Sequence, residues 1–168
     1  MNRKKWVVSG MLAAVAVSLS SFAIPIGAAK CFPIQHLCNV LAAVFLGPGY
    51  GVAMAFVTSL IRNLLGTGSL LAFPGSMVGA LLAGILYQKF GRLGAAYFGE
   101  VFGTGILGAI LAYPVAVLLM GREAALFAYV VPFLVSTAGG TVMAAILIAG
   151  LVRCGAFYQL NGMMREVR

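Results

Sequence analysis

The chain has 168 residues, of which 62% are hydrophobic and only 8% are charged, and its formal net charge is +8. Soluble domains carry about 25% charged residues, so this composition excludes a water-soluble fold. The eleven basic residues lie mostly at the ends of hydrophobic runs rather than along one stripe, which argues against a nucleic-acid-binding module. We therefore expect a single membrane domain over residues 1–168.

The hydrophobic runs predict an all-α integral membrane protein, a bundle of six transmembrane helices. These helices are expected at about residues 6–24, 37–46, 51–65, 73–90, 93–120 and 124–152, with a short cytoplasmic tail over 153–168. The first run follows three basic residues and could be read as a signal peptide, but its length favours a retained helix. The second run is short, and either extends backwards or forms a tilted helix.

The basic residues also predict the orientation of the bundle. An even number of helices places both termini on one side, together with eight of the basic residues, and leaves Lys30, Arg62 and Arg122 on the other. The positive-inside rule then makes the termini cytoplasmic in a multi-pass protein of the cell membrane. The connections at 25–39, 66–74 and 120–123 would face outward and converge over one ligand pocket.

Residues 25–39 form the most polar segment between the hydrophobic runs. The segment holds the only histidine and two of the three cysteines. Its donors and acceptors make four residues candidate substrate contacts: Lys30, Gln35, His36 and Asn39. Cys31 and Cys38 could form a disulfide or serve as two small apolar residues. Their spacing with the histidine matches no zinc pattern, so no metal is expected.

Two ionisable residues lie in or next to the helices. Glu100 is about two turns inside the fifth run, and an ionisable residue within a membrane span suggests a functional site. The alternative is that Glu100 lies near the cytoplasmic interface and pairs with Arg92 or Lys89. Arg62, next to Asn63, ends the third run. It either extends to the interface or offers its guanidinium to a ligand, and Asn63 is a candidate beside it.

Aromatic and hydroxyl groups at the same outer depth complete the candidate site. Phe73 and Ser76 open the fourth run and suit a ring-plus-hydroxyl contact. Residues at comparable depth are Tyr113 on the fifth helix and Tyr129, Phe133, Ser136 and Thr137 on the sixth. Such aromatics can equally belong to an interfacial belt.

The sequence contains no P-loop, no Ser/His/Asp set and no H-E-x-x-H motif, so we expect no catalytic residue, no cofactor and no enzyme activity. It also lacks repeated halves of the kind used for alternating access. Ligand capture is therefore favoured over a self-standing channel or facilitator, a membrane enzyme or a purely structural subunit.

Small residues at four-residue spacing usually pack helices internally. The ridge of Gly10, Ala14 and Ser18 lies on an otherwise aliphatic first helix, and we expect it to contact a partner protein instead.

The chain resembles the ThiW family in three segments: residues 25–36 (PIGAAKCFPIQH), 46–50 (LGPGY) and 72–77 (AFPGSM). Members of this family are substrate-binding (S) components of energy-coupling factor (ECF) vitamin transporters, associated with the thiazole precursor of thiamine. The resemblance runs from about residue 6 to 153, and it is the combination of segments that is specific.

The resemblance implies six helices, cytoplasmic termini and an outer pocket closed by the first and third outward loops. It also implies a transmembrane coupling subunit and two cytoplasmic ATPase subunits as partners, docked through an A-x-x-x-A-type ridge on the first helix. Ala14 and Ser18 match that ridge with serine replacing the second alanine. The implied ligand is hydroxyethylthiazole or a related form, which suits a mostly apolar pocket with a few hydrogen bonds.

Overall fold

The structure is a computed structural model that describes residues 3–21, 23–26, 29–121, 123 and 125–165. Within these residues the chain is all-α apart from one short hairpin. Its helices are α1 (Arg3–Ser18, continued by a 3-10 turn at Leu19–Ser21), α2 (Pro33–Phe45), α3 (Pro48–Leu64), α4 (Ala72–Phe90), α5 (Leu93–Leu119), α6 (Val130–Arg153) and α7 (Ala156–Arg165). The hairpin consists of β1 (Ile24–Ile26) and β2 (Ala29–Cys31), which pair antiparallel.

The described part of the chain therefore has seven helices rather than the predicted six. The additional helix, α7, lies in the segment predicted as a tail. Gly155, at φ +77°, separates it from α6. Phe157 and Met164 are buried on one side of α7, whereas Tyr158 is exposed. Because α7 is amphipathic rather than apolar throughout, a search for hydrophobic runs does not find it.

Several predicted boundaries also move. The second helix begins at Pro33 rather than residue 37, because proline is well suited to the first helical position, where its missing N–H costs nothing. The first helix stops well before residue 24, which belongs to β1. The sixth begins at Val130 rather than 124, since turns occupy the residues described just before it.

Two helices of the described chain are long and apolar enough to cross a membrane by themselves. They are α5, with 27 residues, and α6, with 24. A span needs about 20 apolar residues, so α2, with 13, is short for this role. Helix α5 includes a π-helical segment, Gly103–Gly108, and passes through Pro114 before a second one, Val115–Leu119.

Helices α4 and α5 cross with their backbones in close contact. A Cβ atom added to Gly99 would lie 2.7 Å from the Cα of Ala83, and one added to Gly103 would lie 2.9 Å from the Cα of Gly79. These positions belong to ridges of small residues at four-residue spacing, and here the ridges pack helices internally. The close approach packs the first half of α5 against α4.

The 3-10 turn after α1, the hairpin, residues 65–71 and the first turn of α6 meet at one end of the bundle. Ser20 Oγ donates to Thr67 Oγ1 at 3.2 Å, and the Cys31 thiol donates to the carbonyl of Pro132 at 3.1 Å. At the opposite end, Lys5 Nζ donates to the carbonyl of Leu46 at 3.4 Å. We call the first the hairpin end.

Candidate functional site

A cavity of about 410 Å³ lies at the hairpin end and extends into the bundle. Loop residues surround its mouth, and helical residues from four helices form its inner wall. Its lining comprises Pro25, Lys30, Phe32, Gln35, His36, Gly68, Ser69, Leu71, Ala72, Gly75, Ser76, Thr104, Phe133 and Ser136. Small-molecule sites typically have volumes of about 300–1,000 Å³ and combine apolar walls with a few placed polar groups, so this cavity has the size and lining of such a site.

Behind one wall of the cavity, a single carboxylate oxygen gathers three hydrogen bonds. Glu100 Oε1 accepts from His36 Nδ1 at 2.8 Å, from Asn39 Nδ2 at 3.0 Å and from Thr104 Oγ1 at 3.1 Å. The Glu100 side chain has no solvent exposure. A buried carboxylate is costly unless it is hydrogen-bonded, and these donors offset part of that cost at Oε1, whereas Oε2 has no partner among the described residues. The partners of Glu100 are therefore these three residues, and not Arg92 or Lys89 as one of the two interpretations expected.

Two glycines allow this cluster to form. A Cβ atom on Gly79 of α4 would lie 2.9 Å from Glu100 Oε2, so only glycine leaves room for the carboxylate there. A Cβ atom on Gly140 of α6 would lie 2.6 Å from the Cβ of His36. The absence of side chains at these positions lets α4 approach α5 and lets α6 approach the start of α2.

A second buried charge lies behind another part of the wall. Arg62 is only 1% exposed, its guanidinium lies over the ring of Phe32 at 3.5 Å, and its Nη1 donates to Gln35 Oε1. Its Nε and Nη2 atoms have no partner among the described residues. Arg62 is not itself a lining residue, since Phe32 and Gln35 stand between it and the cavity. The arginine therefore does not reach to the interface, which was one of its two expected roles.

A chain of hydrogen bonds joins the two buried charges. Gln35 Nε2 donates to Ser59 Oγ at 3.2 Å, and Ser59 Oγ lies 3.2 Å from Ser76 Oγ. Asn39 Nδ2 completes the connection, because it donates both to the carbonyl of Ser76 at 3.1 Å and to Glu100. Asn39 Oδ1 and Glu100 Oε2 have no partner among the described residues, but the bonds that are made tie the members of the network to one another. The orientation of the polar wall is thus fixed by α2, α3, α4 and α5 together.

The structure distributes the sequence candidates over three positions. Four of them line the cavity: Lys30, Gln35, His36 and Ser76. Three lie behind its wall in the buried network: Asn39, Arg62 and Glu100. The remaining three are not lining residues: Asn63, Phe73 and Tyr113. Asn63 Nδ2 bonds the carbonyls of Ser59 and Ser69, and the Phe73 ring packs on Phe56 at 5.6 Å.

Several lining residues were not selected as substrate contacts from the sequence. Thr104 follows Glu100 by four residues, and this spacing on a helix could have indicated it. Phe133 and Ser136 come from α6, and Phe32 from the residue before α2. Ser136 Oγ accepts from the backbone N–H of Phe32 at 2.7 Å and so fixes the start of α2 against α6. Contacts of this kind depend on helix packing, which the spacing of polar residues does not reveal.

All three cysteines are free thiols, so the disulfide alternative is not adopted. Cys31 and Cys38 are buried, and Cys154 is exposed. Burial raises the pKa of the Cys31 thiol, and hydrogen bonding with Ser136 opposes that rise only in part. Cys31 and Cys38 therefore occupy packing positions, as small side chains do.

The chain is similar to known proteins both in sequence and in fold. The sequence model of the family described as "Thiamine-precursor transporter protein (ThiW)" matches residues 6–154. A solved structure described as "Structure and mechanism of the S component of a bacterial ECF transporter" superimposes with a TM-score of 0.72. The two sequences are 22% identical, and the match covers 94% of this chain and 99% of that one. The likeness shows a shared fold. No curated protein gives a match.

Proposed function

Because this chain belongs to the ThiW family of thiamine-precursor transporter proteins, we propose that it is the substrate-capture subunit of an ECF-type importer. The substrate is a thiazole precursor of thiamine, hydroxyethylthiazole. The subunit binds it at the outer face of the membrane and performs no catalysis itself. ATP hydrolysis belongs to partner subunits.

The observation that carries this proposal is the cavity of about 410 Å³ at the hairpin end. Its volume accommodates a small heterocycle, and its aromatic and polar lining offers both ring contacts and hydrogen bonds. Two lining residues, Gln35 and His36, are held from behind by buried charged groups. Such support from a second layer of residues is what keeps a binding site in its productive geometry.

In this proposal the sequence candidates have different roles. Lys30, Gln35, His36 and Ser76 contact the ligand. Asn39, Arg62 and Glu100 orient those contacts from behind the wall. Asn63, Phe73 and Tyr113 act only by supporting the helices that carry the site.

The orientation rests on charge. The termini and the α4–α5 connection carry most of the basic residues, so the positive-inside rule makes that end cytoplasmic and the hairpin end outward. The cavity then opens to the outside of the cell membrane, and the protein is multi-pass.

The proposed partners are a transmembrane coupling subunit and two cytoplasmic ATPase subunits, within the lipid membrane. The docking ridge consists of Gly10, Ala14 and Ser18. All three are exposed on α1, and a Cβ atom on Gly10 would meet nothing within 4 Å. Small exposed residues in a membrane helix allow another helix backbone to approach closely, which supports a docking role.

Calorimetric titration of the detergent-purified protein with hydroxyethylthiazole, thiamine and the pyrimidine precursor tests the proposal. We expect saturable one-site binding of hydroxyethylthiazole and weaker binding of the other two. No heat with any of the three would contradict it. Liposomes containing the protein alone provide a second test, since ligand flux without ATPase partners would favour the alternative of a self-standing channel or facilitator.

A further inference from the structure

Three residues of the inner wall, His36, Ser76 and Thr104, present hydrogen-bond acceptors to the cavity. A hydroxyl group has one hydrogen to donate, and both hydroxyls of this wall have already used theirs. Ser76 Oγ donates to the carbonyl of Ala72 at 2.8 Å, and Thr104 Oγ1 donates to Glu100 Oε1 or to the carbonyl of Gly75. What these two side chains leave for a ligand is oxygen lone pairs.

The imidazole of His36 has the same polarity. Glu100 Oε1 accepts a hydrogen bond from Asn39 Nδ2, and an ionised carboxylate has no hydrogen of its own to give to His36. The hydrogen of the His36–Glu100 contact therefore lies on His36 Nδ1. In a neutral imidazole this leaves Nε2 as an acceptor. His36 lines the cavity, and its Nε2 has no hydrogen bond to a described residue.

Donors are found in other parts of the lining. Lys30 is exposed in β2, and Gln35 Nε2 gives one of its two hydrogens to Ser59 Oγ and keeps the second. Arg62 is a buried cation near the cavity, but it is not among the lining residues and lies over the Phe32 ring. His36, Ser76 and Thr104 thus form a patch of acceptors within the lining.

We propose that Glu100 is a specificity-determining positioning residue: by fixing the His36 tautomer, it makes the inner wall accept a hydroxyl hydrogen from the ligand. The site then takes a small uncharged alcohol with its hydroxyl directed inward. A phosphate ester has no hydroxyl donor at that position and brings negative charge toward the buried carboxylate, so it is excluded. This inference rests on the proposed function and specifies the substrate class for it.

Three probes test the inference on the wild-type protein: hydroxyethylthiazole, its O-methyl ether and its phosphate ester. The ether keeps the ring and the oxygen but lacks the donor. We expect the ether and the phosphate ester each to bind about tenfold or more weakly than the alcohol, because a buried acceptor is left unpaired. Equal or tighter binding of either analogue would overturn the inference while leaving the capture function standing. If none of the three binds, the proposed function itself fails.

The Glu100→Leu variant tests the positioning role. Leucine offers His36 Nδ1 no acceptor, so the imidazole hydrogen can move to Nε2 and turn that atom into a donor. We expect the preference for the alcohol over the ether to fall to within about threefold. An unchanged preference in folded Glu100→Leu protein would overturn the role. If this variant does not fold, His36→Phe, which removes the Nε2 acceptor, must lose the preference for the inference to stand.

Discussion

His36 Nδ1 lies 2.8 Å from Glu100 Oε1, although 64 residues separate the two in the chain. The pair joins the start of α2 to the middle of α5, and it places a carboxylate directly behind a residue that lines the cavity. It links the folding of the bundle to the chemistry of its proposed site.

Removing this carboxylate should destabilise the protein. In Glu100→Ala, three buried donors lose their common acceptor, and Asn39 and Thr104 retain only one other acceptor each. We expect a loss of about 2 kcal/mol or more in the free energy of unfolding. Thermal unfolding in detergent measures it, with Glu123→Ala, at an exposed loop acid, as the matched control. Equal stability of the two variants would show that the buried contacts contribute nothing.

The contact between α4 and α5 should not tolerate a methyl group. In Gly99→Ala the new Cβ would lie 2.7 Å from the Cα of Ala83, and we expect destabilisation of about 1–3 kcal/mol from the forced separation of the backbones. Gly94→Ala, in the same helix, is the control, because its Cβ would meet nothing within 4 Å. Unfolding midpoints should fall for the first variant only. A fall of similar size in both variants would show that the effect comes from replacing a glycine within the helix and not from the contact between α4 and α5.

How far the sequence predicts this molecule depends on the kind of signal. Hydrophobic runs indicate the bundle helices, and the small residues near Gly99 indicate that helices touch. Hydropathy could not indicate α7, whose apolar side is formed by single residues such as Phe157. It also could not show that Glu100 faces α2, because that depends on the rotation of α5. The polar segment at 25–39 was recognisable, and the spacing from Glu100 could have indicated Thr104, but the place of Thr104 in the cavity wall depends on how α5 packs against α4.

Cysteine labelling tests the proposed orientation. Only Cys154 is exposed, so a membrane-impermeant maleimide should label it in inside-out vesicles and not in right-side-out vesicles. Burial raises the pKa of the Cys31 thiol, so any thiolate there forms at more alkaline pH than usual, and labelling of Cys154→Ser should remain low at neutral pH and rise only as pH increases. Labelling of Cys154 in right-side-out vesicles would reverse the orientation.

The α1 ridge should affect transport without affecting capture. Ala14→Trp places a large ring on the exposed side of α1, and we expect loss of co-purification with the coupling subunit and of ATP-dependent uptake, with ligand affinity unchanged. Ile146→Trp, at a 69% exposed position on α6, is the control. Normal uptake by Ala14→Trp would place the docking surface elsewhere.

Filling the cavity tests the central claim most directly. Ala72 lines the cavity and contributes no polar side-chain atom, so Ala72→Phe should occupy the space while leaving the buried network intact. Hydroxyethylthiazole binding is measured by calorimetry for the wild type, this variant and Ile85→Phe, which alters a 43% exposed position of the same helix. The account predicts one-site binding to the wild type and to Ile85→Phe, and at least about tenfold weaker binding to Ala72→Phe at unchanged thermal stability. Equal affinity in all three proteins would contradict it.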